Sequence, residues 1–390
     1  MTTSVLVLGA GFGGLETCAR LREQLGDEVA ITLVDKGSAF SFGFSKLDVM
    51  FGRRQPDEVR LRYADYDRSG VRFVQAAITA INPETRTVET SAGTFSADIL
   101  VVALGADYNL GATPGLAELG REFYSFTGAF DLAPTLAAFE GGNVVIGVCG
   151  PGFKCPPAPN ECALLLHDML VERGIRDRGT LKVVVPMGVP LPPSPELSRY
   201  ILGRYAERGI EYVGDRRVVA LERVTDESGT ERKEAVLSDG TRLPFDLFLG
   251  IPVHTVPAVV AASGLAQNGW IPVDKGTCAT RFPGVYAVGD VTSIGTPKAG
   301  VFAERAARAM VDRIAADLRG ESAPAGYDGT GACYVEVGSH QVAGIAVDFF
   351  SDPTRPLGWF TEPNADTAAS KADFSPERQA RWFHDPATGA

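Results

Sequence analysis

The segment Gly9-Ala10-Gly11-Phe12-Gly13-Gly14 constrains the fold of this chain more than any other. It follows an apolar run at residues 4–8 and opens a helical pattern at 15–25. In that context Gly9 permits a tight turn, Gly11 lets backbone approach a pyrophosphate, and Gly14 lets helix and strand pack closely. The helix N-terminus then faces a diphosphate with free N–H groups and a partial positive charge. Asp35 closes the next apolar run, 29–34, and lies 21 positions past Gly14, where a carboxylate accepts a ribose hydroxyl proton. Lys36 beside it is counted with the same site. Strand, glycine turn, helix and acid together make a strong dinucleotide motif, but they do not separate FAD from NAD.

The rest of the chain repeats the theme. Apolar runs at 73–81, 86–90 and 99–104 read as strands. A second α/β round starts with a strand at 143–148 and continues through a helix near 161–173, a strand at 181–185 and a helix near 195–208. Short strands at 218–225 and 234–237, a strand at 285–288 and an amphipathic helix at 299–318 follow. Past Arg319-Gly320 the pattern alternates over 333–337 and 342–350, a hairpin turning at Gly338-Ser339-His340-Gln341. In the tail Ser375 reads as an N-cap, with Pro376 first in a short helix that contains Arg378 to Phe383. The expected fold class is α/β, with two Rossmann-like dinucleotide-binding domains and a C-terminal hairpin and helix region. The first domain is discontinuous, 1–108 with 265–325. The second spans 109–264, and 326–390 form the C-terminal part.

Length and composition agree, since 390 residues with 45% hydrophobic and 22% charged side chains suit two or three globular units. A net charge of −11 repels phosphate backbones and argues against nucleic-acid binding. Residues 247–265 carry no formal charge, yet Pro252, His254 and Pro257 interrupt them, so a strand, turn and short helix are expected there and no membrane span. The N-terminus shows no signal-peptide pattern. A cytoplasmic location is therefore expected, with peripheral contact at the inner membrane face as a variant. His167, His254, His340 and His384 are scattered, and no Cys-x-x-Cys occurs, so no metal site is expected.

Thr280-Arg281-Phe282-Pro283-Gly284-Val285-Tyr286-Ala287-Val288-Gly289-Asp290 resembles a signature of two-dinucleotide-domain flavoproteins. The resemblance implies FAD, with Asp290 on the ribityl chain and Gly289 permitting close approach. Val101-Val102-Ala103-Leu104-Gly105 resembles the strand-to-glycine connector of that superfamily, departing at Leu104 and placing Ala103 and Gly105 at the flavin. Pro297-Lys298-Ala299-Gly300 opens the long helix and aims its N-terminal dipole at the flavin pyrimidine edge.

Flavoproteins of this architecture repeat the glycine motif in their middle domain to hold NAD(P)H. Here the corresponding strand runs into Cys149-Gly150-Pro151-Gly152-Phe153-Lys154-Cys155-Pro156-Pro157, whose prolines remove backbone donors. The next strand ends Val184-Val185-Pro186-Met187, with no acid for a ribose and no Arg for a 2′-phosphate. The second nucleotide site is expected to be degenerate, with cysteines in its place.

Cys155 lies just before a helix and beside Lys154, both of which favour the thiolate. Cys155-Pro156-Pro157-Ala158-Pro159-Asn160-Glu161 is similar to a segment of the flavoprotein subunit of flavocytochrome c sulfide dehydrogenase. Gly331-Ala332-Cys333-Tyr334 resembles that family's second redox cysteine. The family groups with the sulfide:quinone oxidoreductases, and the resemblance runs from Val5 to about Phe350. It implies a redox disulfide between Cys155 and Cys333, Glu161 as acid/base, sulfide or a small sulfur donor as substrate, and a quinone or electron carrier as acceptor. The two cysteines are 178 positions apart, so sequence alone leaves the pairing open. Cys149 with Cys155 is sterically allowed, Cys155 with Cys162 fits poorly, and Cys149 and Cys162 stay unassigned. Cys18 and Cys278 read as buried apolar residues.

Three departures from the relatives matter. Phe40-Ser41-Phe42-Gly43-Phe44 has no cysteine for covalent flavin attachment, so FAD is expected to be non-covalent. The same stretch lacks the cysteine of coenzyme A disulfide reductases. Around Phe123 to Thr127 there is no third redox cysteine. Tyr334, Phe349 and Phe350 read first as core and second as a quinone stack. Phe374, Trp382 and Phe383 fit packing on the body, a homodimer contact or a membrane anchor. A type II NADH:quinone oxidoreductase and a non-catalytic flavin redox sensor are the two alternative functions.

Overall fold

The computed structural model describes residues 2–225 and 229–385. Five parallel strands form the first sheet, in the order Val285–Ala287, Ile99–Val102, Thr3–Leu8, Val29–Asp35 and Val71–Gln75. Helices Phe12–Leu25 and Gly300–Arg319 cover one face. A small antiparallel sheet of Ile78–Asn82, Thr87–Thr90 and Gly93–Ser96 covers the other, with helix Ala258–Ala262. Both faces are therefore dry. In the first strand Val5 and Val7 enter one apolar cluster while Leu6 and Leu8 enter another, which is why the strand reads as an unbroken apolar run.

The second parallel sheet has the order Arg121–Glu122, Leu247–Ile251, Val144–Val148, Leu181–Val184 and Ile210–Val213. Helices Ala158–Glu172 and Pro195–Arg208 pack on one side. The antiparallel strands Val218–Thr225, Glu231–Leu237 and Arg242–Phe245 pack on the other. An antiparallel ribbon, Asp107–Asn109 with Val253–Thr255, joins the segments leaving and re-entering this half.

Pro195–Arg208 shows how local sequence sets an element's ends. The Ser194 side chain accepts the Leu197 N–H, Pro195 stands where no N–H is needed, and Gly209 closes the helix in the left-handed region.

Several expectations change. The strand expected at 73–81 is two strands in different sheets. The break comes at Ala76 and Ala77, whose N–H groups bond the Asp35 carbonyl and the Ser91 hydroxyl. Helix Phe126–Ala138, capped by Ser125, escapes the sequence reading. The C-terminal hairpin is the first part of a three-stranded sheet, Thr330–Glu336, Val342–Asp348 and Leu357–Thr361. The tail helix does not start at Ser375. It spans Ala365–Phe383, capped by Asn364 in a reciprocal bond with Thr367, and carries Pro376 inside. Eleven residues of helix before Pro376 and burial of the face beyond it offset the N–H that proline lacks.

That face is apolar and inward. Trp382 and Phe383 are fully buried and Phe374 nearly so, in an aromatic cluster with Phe12, Phe40 and Phe42. These three aromatics thus pack on the body, the first of the three readings offered above. No helix among the described residues is long and apolar enough to cross a membrane.

Candidate functional site

Where neighbouring strands of the first sheet end, their C-terminal turns open onto one cavity of about 510 Å³. Gly11 and Gly13 follow the first strand, Ala103 and Gly105 follow Ile99–Val102, and Gly289 and Asp290 follow Val285–Ala287. Such an edge is where open α/β sheets bind ligands.

The glycine turn has the geometry its sequence implies. A Cβ on Gly14 would lie 1.8 Å from the Gly9 carbonyl oxygen, and one on Gly9 would lie 2.5 Å from that of Ala103. Gly11 has open space in front of it and caps the helix without any side-chain bond, so the first-turn N–H groups remain available. Asp35 accepts the Ala10 N–H at 2.7 Å and the Gly37 N–H at 2.6 Å, which holds its carboxylate beside the turn. Gly9, Gly14 and Asp35 thus shape the turn, while Lys36 is exposed and away from the cavity wall. These residues fit a dinucleotide diphosphate and ribose.

On the opposite wall Lys298, Ala299 and Gly300 introduce helix Gly300–Arg319. Gly300 is required because a Cβ there would meet the Phe12 ring at 2.6 Å. Lys298 Nζ donates to the carbonyls of Asp290 and Thr292 and sits over the Trp270 ring. Burial lowers its pKa to about 8 despite the nearby Asp290. Burial also raises the Asp290 carboxyl, against the pull of Lys154, Lys298 and Lys46.

Cys155, Cys333 and Glu161 all line this cavity. Cys155 has a left-handed backbone (φ 50°) and donates its N–H to the Lys298 carbonyl at 2.8 Å, tying the second α/β half to the first. For a non-glycine residue that conformation costs on the order of 1 kcal/mol. Cys333 comes from the central part of strand Thr330–Glu336, opposite Ile345. Both cysteines are half-buried free thiols. Glu161 is 3% exposed, and its Oε1 accepts the Glu336 N–H at 2.9 Å. Burial pushes its pKa up to about 7, although Lys371 and that N–H oppose the shift.

The thiolate argument needs correction. Burial raises the Cys155 thiol well above its usual value, and the neighbouring Cys333 and Glu161 raise it further. Lys154 does not counter this, because its Nζ donates to the Ala106 carbonyl and covers the Tyr108 ring. The cation that does lower Cys155 is Lys46. Burial also holds Cys333 at about 11.

The other cysteines are apolar core. Cys149 packs with Val145, Val184 and Phe248, and Cys162 belongs to the main core; neither lines the cavity. Cys18 and Cys278 are fully buried. Among the aromatics weighed as a quinone stack, Tyr334 lines the cavity, whereas Phe349 packs on Phe302 and Phe350 on Tyr327. His254 stands behind the wall, accepting the Lys154 N–H, and burial lowers its pKa to about 3.

Lys46, Tyr108, Tyr124 and Lys371 also line the cavity and were not singled out from the sequence, while Phe374, read there only as a packing or anchoring aromatic, lines it too. A signal existed for Lys46, a lone cation among the aromatic and aliphatic residues between Phe40 and Met50. None existed for the others.

The pyridine nucleotide-disulphide oxidoreductase family model matches residues 3–310. The chain is 27% identical over 385 residues to a sulfide-quinone reductase of Aquifex aeolicus, covering 91% of this chain and 85% of that one. It is 24% identical to a type II NADH:quinone oxidoreductase of Staphylococcus aureus, covering 88% and 90%. The solved sulfide:quinone oxidoreductase of Aquifex aeolicus shares the fold, with a TM-score of 0.80, 23% identity and coverage of 99% and 93%.

Proposed function

We propose, from the premise that this chain belongs to the pyridine nucleotide-disulphide oxidoreductase family and is an oxidoreductase, that it oxidises sulfide or a related sulfur donor through Cys155 and Cys333 and delivers the electrons to a quinone or another carrier. One observation carries this reading: two thiols and a carboxyl titrating near neutrality share a cavity with a dinucleotide cradle. Gly9, Gly11, Gly14 and Asp35 would hold the diphosphate and ribose of FAD. Ala103, Gly105, Gly289, Asp290, Lys298, Ala299 and Gly300 would surround the rest of the cofactor, with Lys36 at its outer edge. Non-covalent attachment is supported at Phe40 and Phe42, which are packed against Phe12 and Trp382 and offer no sulfur. The two-domain division at 108 and 265, with a C-terminal part from 326, belongs to the same reading.

In this mechanism hydrosulfide attacks one sulfur of a Cys155–Cys333 disulfide. The S–S bond breaks, a persulfide S–S bond forms on the attacked cysteine, and the other cysteine leaves as thiolate with both bonding electrons. Glu161 takes the persulfide proton, for which a pKa near neutrality suits it. The chemistry a bound FAD contributes is two-electron acceptance from a thiolate and onward transfer to the acceptor.

A nicotinamide donor is disfavoured by the loop between strand Val144–Val148 and helix Ala158–Glu172, which carries Pro151, Pro156 and Pro157 where phosphate-binding N–H groups are needed. Anaerobic titration of the holoenzyme with sulfide and, separately, with NADH tests the proposal. Bleaching of the flavin band by sulfide alone, lost in Cys155→Ser and Cys333→Ser, is the expected result. Bleaching by NADH alone would refute it.

A further inference from the structure

Beyond the two cysteines, the cavity holds an unusual set of hydrogen-bond donors. Lys46, Lys154 and Lys298 all line it, yet the lysine ion pairs among the described residues are those of Lys182 and Lys371. In a protein of net charge −11, three half-buried ammonium groups with no carboxylate in ion-pair contact among the described residues are a costly arrangement, which the nearby Asp290 carboxyl only partly offsets. Lys154 and Lys298 spend donors on the carbonyls and ring faces already described. Lys46 donates to a single hydrogen-bond acceptor, the Tyr124 carbonyl, and otherwise has only the more distant Phe126 and Tyr124 ring faces, at 5.3 and 6.0 Å from the ring centres, so it keeps N–H capacity for a stronger acceptor.

Tyr124 adds a second, independent observation. It lines the same cavity, is 5% exposed, and its hydroxyl has no hydrogen-bond partner among the described residues. Tyr108, by contrast, donates its hydroxyl to the Tyr124 carbonyl at 2.9 Å. A buried hydroxyl without a partner is destabilising unless something else occupies it. Burial raises the Tyr124 hydroxyl well above its usual value, and Cys155, Tyr108, Cys162 and Glu161 raise it further, so the hydroxyl lies in the neighbourhood of Cys155 and Glu161. Burial and Lys154 lower the Lys46 ammonium to about 8, while Glu122, Cys155 and Asp290 oppose the shift.

Both spare groups are donors on residues that line a cavity also lined by Cys155 and Cys333. Their natural occupant is an acceptor with negative charge, small enough to reach that sulfur. We propose that the Tyr124 hydroxyl and the Lys46 ammonium form an anion pocket that holds the sulfur donor, as hydrosulfide or the terminal sulfur of a small persulfide anion, beside Cys155. This rests on the sulfur-oxidation reading above and deepens it, because the donor enters as an anion bound by named side chains.

The test uses holoenzyme of wild type, Tyr124→Phe, Lys46→Met and Lys46→Arg. Thiocyanate, a non-reducing sulfur anion, is titrated against the flavin spectrum. Hydrosulfide and glutathione persulfide are then compared as reductants in stopped flow. Removing one charge-assisted donor should weaken thiocyanate binding roughly ten- to a hundredfold in Lys46→Met. A similar loss is expected in Tyr124→Phe, with recovery of most of the affinity in Lys46→Arg. The apparent dissociation constant of the preferred reductant should rise in parallel. Weakening for hydrosulfide alone assigns the pocket to the smaller donor, and weakening for the persulfide alone assigns it to the larger. Flavin content and melting temperature identify any variant that fails to assemble, and Tyr124→Phe keeps the ring packing intact.

Equal thiocyanate affinity in all four proteins overturns the inference even if sulfide reduces the flavin normally. Lowered flavin content in Tyr124→Phe and Lys46→Met, with unchanged thiocyanate affinity in the fraction that keeps its flavin, also overturns it, since the pair would then hold the cofactor. If neither donor reduces wild type, the sulfur-oxidation reading itself fails.

Discussion

Replacing Glu161 by Gln separates the energetic cost of a buried carboxylate from its use. Glu161 titrates near 7 in the fold against an ordinary value of 4.5, and burial is the leading cause. The folded state therefore binds this proton more tightly than the unfolded chain. The stability that follows is fully present below about pH 4.5 and is lost as pH rises through about 7. At roughly 1.4 kcal/mol per pH unit, ionising Glu161 costs the folded protein roughly 3 kcal/mol at pH 8 relative to pH 4.5. Gln keeps an oxygen that can accept the Glu336 N–H, so the substitution removes the charge and little else. Urea denaturation of wild type and Glu161→Gln across pH 5 to 8 should then show two diverging curves. The variant should gain on wild type as pH rises and level off above neutrality. Activity should move the other way: the ionised form accepts the proton, so sulfide-driven flavin reduction rises with pH through about 7 in wild type and loses that limb in the variant. Stability profiles that stay parallel within about 1 kcal/mol would refute the assignment of a strongly raised carboxyl.

Gly14→Ala should yield flavin-free or insoluble protein, because its Cβ would sit 1.8 Å from the Gly9 oxygen; absorbance of the purified protein reads this directly. Arg381→Met should destabilise the holoenzyme by about 3 kcal/mol in denaturant, since Arg381 bonds the fully buried Glu16 carboxylate from helix Ala365–Phe383. Trp382→Phe removes a 2.7 Å bond to the same carboxylate and should lower the melting temperature by a smaller amount. Neighbouring Arg and Trp groups hold Glu16 below its usual value against its burial, so that stabilisation is present above about pH 4.5 and fades as acid protonates it. Cys149→Ala and Cys162→Ala should leave flavin reduction by sulfide intact while lowering stability, the reverse of Cys155→Ser; rapid mixing and melting curves read the two effects separately.

Features that depend on a few consecutive residues were legible without coordinates. The turn from Gly9 to Gly14 is one, because the contact that excludes a Cβ from Gly14 is with the Gly9 carbonyl oxygen in the same turn. Helix Pro195–Arg208 is another, its cap, first-turn proline and closing glycine all being local. The tail helix escaped because Ser375-Pro376 imitates a helix start. The real start at Asn364 needs a cap bond to Thr367 and is held by the Thr367 hydroxyl donating to the Val342 carbonyl on a distant strand.

The candidate site divides the same way. Sequence by itself determined the glycine turn after the first strand and, through the family resemblance of their segments, singled out Cys155, Glu161 and Cys333 as candidates. Only the tertiary structure decided that residues 178 positions apart share a cavity, that Cys149 and Cys162 are core, and that Lys154 is committed to the Ala106 carbonyl and the Tyr108 ring. It alone brought Lys46 and Tyr124 to that wall. The physical reason is range. Backbone sterics and capping act over a few residues and are written in order along the chain. Burial, which sets the pKa of Glu161 and isolates the Tyr124 hydroxyl, is a sum over neighbours from both sheets and the C-terminal strands, and no short stretch of sequence contains it.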